Sequence, residues 1–254
     1  MAKVVSILSG KGGVGKTFLT ANIAHAVALQ RRSVLVFDGD LGLANIDIQI
    51  GLVTKRHIND FVLGEAAFED VVAHSQAIGC SVISGRPSHG IIVNTTPLER
   101  RRIKEALARA ALAYDVLFID LGAGIEANVI DFVDLSDIVL LVVKPEPTSI
   151  MDAYAVVKAL PFALRSRIVI TPNMVQTASE AETLIRQFGG VLRRFLQAEP
   201  RSLGFVRADA SVSLAIRRQQ PISSCYPASS AATDIRALAD RILVDQFVPR
   251  PATA

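Results

Sequence analysis

A chain of 254 residues, half of them hydrophobic yet with no Trp and few aromatics, can bury one sizeable α/β core made mainly of Val, Ile, Leu and Ala. A formal charge of +3 is too small to demand nucleic acid, although a pI near 9.0 leaves room for a basic face. The widely separated Cys80 and Cys225 offer no CxxC or metal-ligand spacing, so they read as a strand residue and a late-loop residue, not a redox pair.

Short β-branched runs alternate with helical patterns along the whole chain. In order, the predicted elements are a strand Val4–Leu8, a helix Lys16–Gln30, strands Val34–Asp38 and Ser81–Ser84, and a helix Leu98–Ala113. A strand Val116–Asp120, a helix Ile125–Leu135, a strand Ile138–Val143 and a helix Ser149–Leu160 follow. The series ends with a strand Ile168–Thr171, a helix Ala178–Leu196, a strand Leu203–Val206 and a helix Ala231–Phe247. Several strands are apolar at consecutive positions, as when both faces are buried. The pattern predicts a three-layer α/β fold, a mainly parallel sheet with helices on both faces. Residues 1–248 should form one domain, and 249–254, with Pro249 and Pro251, a frayed tail. The opening residues are too short and too β-branched for a signal peptide, and no apolar run spans a membrane without a charge or turn. A cytoplasmic protein is therefore expected.

In an open parallel sheet, ligands sit beyond the carboxyl ends of the strands, and each motif falls at such an end. Strand one runs into Gly10-Lys11-Gly12-Gly13-Val14-Gly15-Lys16-Thr17, then Phe18. The glycines let successive N–H groups turn inward on a triphosphate, and the helix N-terminus adds its positive end. In that pattern Lys16 supplies a charge to the β- and γ-phosphates and the Thr17 hydroxyl ligates Mg²⁺. Asp38 and Asp40 end strand two, one residue apart, where two carboxylates can share a water network around Mg²⁺ and the γ-phosphate. Asp120 ends a third apolar run, followed by Gly122 and Gly124, whose backbone can approach the γ-phosphate. Asp47 has no spacing that demands chemistry and reads as structural or part of a partner surface.

With Lys11 as a second lysine inside the loop, the chain resembles the deviant-Walker P-loop ATPases, the MinD/ParA group of the SIMIBI class. That resemblance implies ATP/ADP and Mg²⁺ as ligands and an ATP-dependent homodimer in which Lys11 reaches the partner's phosphates. It assigns Asp40 to the attacking water, Asp38 to the metal's outer shell and Asp120 to Mg²⁺ through water. The stretches DGDLGLANIDIQIGL, DLGAGI and Lys144-Pro145-Glu146-Pro147-Thr148-Ser149-Ile150-Met151-Asp152-Ala153-Tyr154 look like the FlhG/FleN branch, regulators of flagellar number and placement. By that resemblance Glu146 and Asp152 sit at the dimer seam near the partner's nucleotide, Asn173 bonds adenine and Asp209 lies beside the base. Turn chemistry in Thr171-Pro172-Asn173 is the alternative for Asn173. A flagellar regulator or basal-body protein is the implied partner.

Leu121 and Arg207 depart from the branch, where a small or hydroxyl residue and a proline are usual. The 254 residues also lack the N-terminal DQAxxLR-like segment with which fuller members activate a signal-recognition-type GTPase, so that activity is not part of the expectation. Relatives bind the membrane through a C-terminal amphipathic helix, at the inner membrane or cell pole. Here Ile235, Leu238, Ala239, Ile242 and Leu243 form a stripe whose flanking charges are mixed in sign, which favours core packing over membrane anchoring. The runner-up function is a partition ATPase binding DNA through Arg31-Arg32, Arg100-Arg101-Arg102, Arg193-Arg194 or Arg217-Arg218. An iron–sulfur relative would need a cysteine just beyond the switch glycines, and residues 121–136 have none.

Overall fold

The computed structural model describes residues 2–40, 45–85 and 95–244. The strands are β1 (Lys3–Ser9), β2 (Val34–Gly39), β3 (Ala73–Ser75), β4 (Cys80–Ile83), β5 (Val116–Ala123), β6 (Ile138–Val143), β7 (Ile168–Val175) and β8 (Val206–Arg207). They lie side by side in the order β3-β4-β2-β5-β1-β6-β7-β8, with β3 antiparallel to β4 and every other pair parallel. The helices are α1 (Lys16–Ala28), α2 (Ile46–Ile50), α3 (Ile58–Val62), α4 (Pro97–Ala110), α5 (Ala127–Val133) and α6 (Pro147–Ala159). After them come α7 (Phe162–Arg165), α8 (Ala178–Leu196), α9 (Ala210–Arg217), α10 (Ile222–Cys225) and α11 (Ser230–Val244). The tail 249–254 and the last residues of the predicted C-terminal helix lie outside the described residues.

Alternation along each strand divides the core in two. Leu35, Phe37, Leu117, Ile119, Leu121, Ile168 and Ile170 face one layer, with Leu107, Val157 and Leu192 from α4, α6 and α8. Val34, Val36, Val116, Phe118, Leu140 and Val169 face the other, with α1 and the stripe of α11. Because α1 is covered by the sheet and by α11, residues 18–27 of it are all buried. A helix buried all round needs no polar face, and Ile23, Ala24, Ala26 and Val27 supply none.

This second layer is where the site sits. Asp38 continues the Val34–Val36 side of β2, Asp120 continues the Val116–Phe118 side of β5, and Asn173 continues the Val169 side of β7. All three therefore project toward the N-terminal end of α1. The stripe Ile235, Leu238, Ala239 and Ile242 is buried on the same layer, with Leu243 partly so, which agrees with the expected core packing. Among the described residues no helix is long and apolar enough to cross a membrane.

Several elements differ from the sequence reading. The predicted strand Leu203–Val206 is displaced to Val206–Arg207, because Gly204 takes φ 138° and Ser202 ties the turn with a hydrogen bond to its carbonyl. β5 runs past Asp120 to Ala123, and β7 runs through Pro172 and Asn173 to Val175, so Asn173 belongs to a strand and the turn alternative fails. β3 was not foreseen; it is three residues hairpinned onto β4, closed by Gly79 donating to the Ser75 carbonyl at 2.8 Å. Cys225 ends a short helix instead of lying in a loop.

Candidate functional site

The loop between Ser9 and Lys16 is shaped by positions that no other residue fits. A Cβ on Gly10 would collide with the backbone of Asp152 and Ala153 on α6, so glycine lets the loop rest directly on that helix. Gly13 and Gly15 have φ of 73° and 92°. Gly15 is also the N-cap of α1 and carries no side-chain cap, which leaves the first N–H groups of the helix open to an anion. Ser9 Oγ donates to the Lys11 carbonyl at 2.8 Å, and Gly124 N donates to the Ser9 carbonyl at 2.9 Å. The loop is thus tied to the turn after β5.

Lys16 lies among three carboxylates. Burial is the largest influence on its ammonium and pulls its pKa down, while the charges of Asp120, Asp40 and Asp38 pull it back up. Asp38 and Asp120 are direct neighbours in the β2–β5 register and both are buried. Burial, followed by the Asp120 charge, pushes the Asp38 carboxyl up to about 8, against the N–H groups of Ile46, Asn45 and Asp40 that favour its ionised form. Burial also pushes Asp120 up to about 6, while the Thr17 hydroxyl, the Lys16 charge and the Thr20 hydroxyl (3.1 Å) act in the opposite direction. Asp40 lies at the mouth, its carboxylate 3.6 Å from where a Cβ on Gly122 would stand. Leu121, the departure beside Asp120, is buried on the opposite layer and leaves the mouth untouched.

Two adjacent buried carboxylates with raised proton affinity, facing a threonine hydroxyl, suit a small hard cation. Among the described residues no group of three or more His, Cys, Asp or Glu could cage a metal. Magnesium needs no such cage, since it takes one or two protein ligands and completes its shell with waters and phosphate oxygens.

Beyond the loop opens a cleft of about 600 Å³ whose lining includes Gly13, Gly15, Phe18, Glu146, Asn173, Arg207 and Asp209. Asn173 Nδ2 donates to the Val14 carbonyl at 2.7 Å, which fixes the amide and leaves its oxygen as the acceptor. The β7–β8 register shifts at this point and Met174 takes φ 59°, a bulge that redirects the strand beside the cleft. Asp209 is the N-cap of α9: one oxygen accepts from Ser211 N at 2.8 Å and the other from Ala231 N at 3.2 Å. It shapes the cleft wall by holding α9 against α11. Arg207 holds Asp234 through Nε (2.8 Å) and Nη2 (2.7 Å), a paired geometry that the usual proline could not make.

Lys11 takes no part in the buried cluster around Lys16. Its half-exposed Nζ donates to Thr148 Oγ1 at 3.3 Å and lies 3.8 Å from Glu146, which pairs with Lys144 at 2.8 Å. The Lys144 hydrogen bond and then the Lys144 and Lys11 charges hold the Glu146 carboxyl below its usual range. Asp152, on the same helix, meets Gly10 through its backbone. The structure therefore brings Lys11 to Glu146 and Thr148 at the start of α6, the helix that also carries the exposed Met151 and Asp152.

The other basic runs are largely engaged within the chain. Arg100 meets Asp131, Arg101 meets Glu105, Lys104 meets Asp134, Arg32 meets Asp115, and Arg218 stacks over Tyr226. The place of Gln49 in the cleft, the pairing of Arg207 with Asp234 and the contact of Gln219 with α2 were not read from sequence. The short helix α2, too brief to show a repeat, carries Gln49 to the cleft, and Gln219, just beyond α9, bonds the Ile48 carbonyl of that helix.

A family model described as ParA, NUBPL iron-transfer P-loop NTPase, matches residues 1–243. The chain is 34% identical to the antiactivator FleN of Pseudomonas aeruginosa over 99% of its own length and 95% of the relative's. It is 30% identical to the flagellum site-determining protein YlxH of Helicobacter pylori, over 89% of this chain and 76% of that one. Among solved structures, the septum site-determining protein MinD from Pyrococcus horikoshii, complexed with Mg-ADP, superposes with a TM-score of 0.79 at 23% identity, covering 95% of this chain and 96% of that one. The iron transfer named for the family model calls for accessible thiolates. Here Cys80 is buried in β4 with its thiol pushed up to about 12 by burial, and Cys225 ends α10.

Proposed function

Because the chain belongs to the ParA/MinD family of P-loop ATPases, we propose that it is a MinD-like, ATP-dependent dimerisation switch that regulates flagellar number or placement. The observation that carries this reading is the separation of its two loop lysines. Lys16 lies within the carboxylate cluster of its own site, whereas Lys11 stands half-exposed on the rim with Glu146 and Thr148. The name of YlxH, a flagellum site-determining protein, supplies the flagellar context, and the match to the antiactivator FleN spans nearly the whole chain.

In this reading the open N–H groups of the loop and Lys16 bind the triphosphate, and Thr17, Asp38 and Asp120 are the residues that would hold Mg²⁺. When bound, the metal neutralises charge on the phosphates. Asp40 orients the attacking water, and Gly122 lets the backbone come close to the γ-phosphate. Asn173, oriented by the bond from its Nδ2 to the Val14 carbonyl, offers its amide oxygen to the exocyclic amine of adenine. Lys11 crosses to the partner's phosphates, and Glu146 and Asp152 lie at the seam. The ion pairs of the basic runs support a protein-directed role over a DNA-directed one.

Two experiments test the proposal. ATP turnover per chain should rise with protein concentration, as it must when the dimer is the active form; flat turnover contradicts the switch. Deleting the gene in its host should change the number or position of flagella counted by electron microscopy, and unchanged flagella contradict the flagellar assignment.

A further inference from the structure

The short helix α2 is held at both ends, at its start by Asp38 and near its end by Gln219. At its start, Asn45 N and Ile46 N donate to Asp38 Oδ2 at 2.9 and 3.1 Å, so the helix is anchored to the carboxylate cluster. In its last turn Gln49 lines the same cleft as Asn173 and Arg207. At its end the chain turns at Gly51, with φ 62°, and a Cβ there would stand 3.2 Å from Gln219 Oε1. Gln219 Nε2 donates to the Ile48 carbonyl at 2.6 Å, linking the end of α9 to α2 across 171 residues of sequence.

Gln219 itself has φ 53°, just beyond α9, a left-handed position where glycine is the usual occupant. A non-glycine residue is strained there. The contact that its side chain makes with α2 is the visible compensation.

We propose that Gln49 contacts the nucleoside part of the bound nucleotide and that Gln219 is the positioning residue that holds Gln49 there. The inference rests on the reading that the cleft takes ATP. A carboxamide both donates and accepts, which suits a ribose hydroxyl or a base edge, and the phosphates are served by the loop and Lys16. Gln219 never meets the nucleotide; it fixes α2 from its far end while Asp38 fixes the near end.

Calorimetric titration of the full chain with Mg-ATP and with Mg-tripolyphosphate tests this. Gln49→Ala and Gln219→Ala should each weaken ATP binding by about 5-fold, the worth of one hydrogen bond. Tripolyphosphate binding should stay unchanged, and the double variant should be about as weak as either single one, since the two act through one contact. Unchanged ATP affinity, additive losses, or an equal loss of tripolyphosphate binding would overturn the inference while leaving the ATP reading intact. A wild-type chain that binds no ATP would overturn both.

Discussion

At the scale of single residues, the site is a contest between burial and charge. Burial lowers the Lys16 pKa, and the charges of Asp120, Asp40 and Asp38 offset part of that cost. Lys16→Ala should therefore weaken ATP binding by roughly 30-fold or more, since charge-assisted bonds are worth about 1.5–3 kcal/mol each and more than one is lost. Titration with a fluorescent ATP analogue measures this. Asp40→Ala should lower turnover by about 10²–10⁴-fold, the range for a group that manages a reacting proton or water, with ATP affinity nearly unchanged. Asp38 supplies a prediction in pH. Its carboxyl is raised from 3.8 to about 8 in the folded chain, so folding favours the protonated form. Without metal, that contribution to stability is full below the unfolded value and is lost as pH rises through about 8. The urea midpoint of the metal-free chain should fall across this window, and Asp38→Asn, which cannot titrate, should fall less. Most of these residues were legible in the sequence because glycine spacing and an acid after an apolar run are local signals. Two features were not: the commitment of Asn173 Nδ2 to Val14, 159 positions away, and the cap duty of Asp209 toward Ala231.

At the scale of elements, the phosphate loop is braced by helices it does not belong to. Gly10 packs on the backbone of α6, so Gly10→Ala forces loop and helix apart. The cost should be about 1–3 kcal/mol, as for overpacking elsewhere. It should appear in calorimetry as a fall in Tm of about 2–4 °C for each kcal/mol. The variant should also lose ATP binding, since the loop can no longer close on the phosphates. Long elements were readable from sequence for the same reason that they are stable: α4 opens with a Thr96–Glu99 capping box, and α8 with the Thr177 cap and a clear amphipathic repeat. Short ones were not. α2 and β3 have five and three residues, too few to show a period, and tertiary contacts decide them. β8 was misplaced because its paired segment is only two residues long and starts where Gly204 releases the chain.

At the scale of the whole molecule, parallel β2, β5, β1, β6 and β7 bring their acidic and amide residues to one end of the sheet, while Lys11, Glu146 and Thr148 meet separately on the rim. The first set handles a nucleotide and the second faces outward, and that division is what a dimerisation switch requires. Residues 1–248 are proposed to act as one such unit. Sedimentation velocity of Asp40→Ala, with and without Lys11→Ala, tests this most directly. The account predicts a dimer for Asp40→Ala in Mg-ATP and a monomer in Mg-ADP, with Lys11→Ala monomeric in both although it binds ATP. An ATP-bound Asp40→Ala chain that stays monomeric at every concentration, or a Lys11→Ala chain that dimerises like its parent, would contradict it.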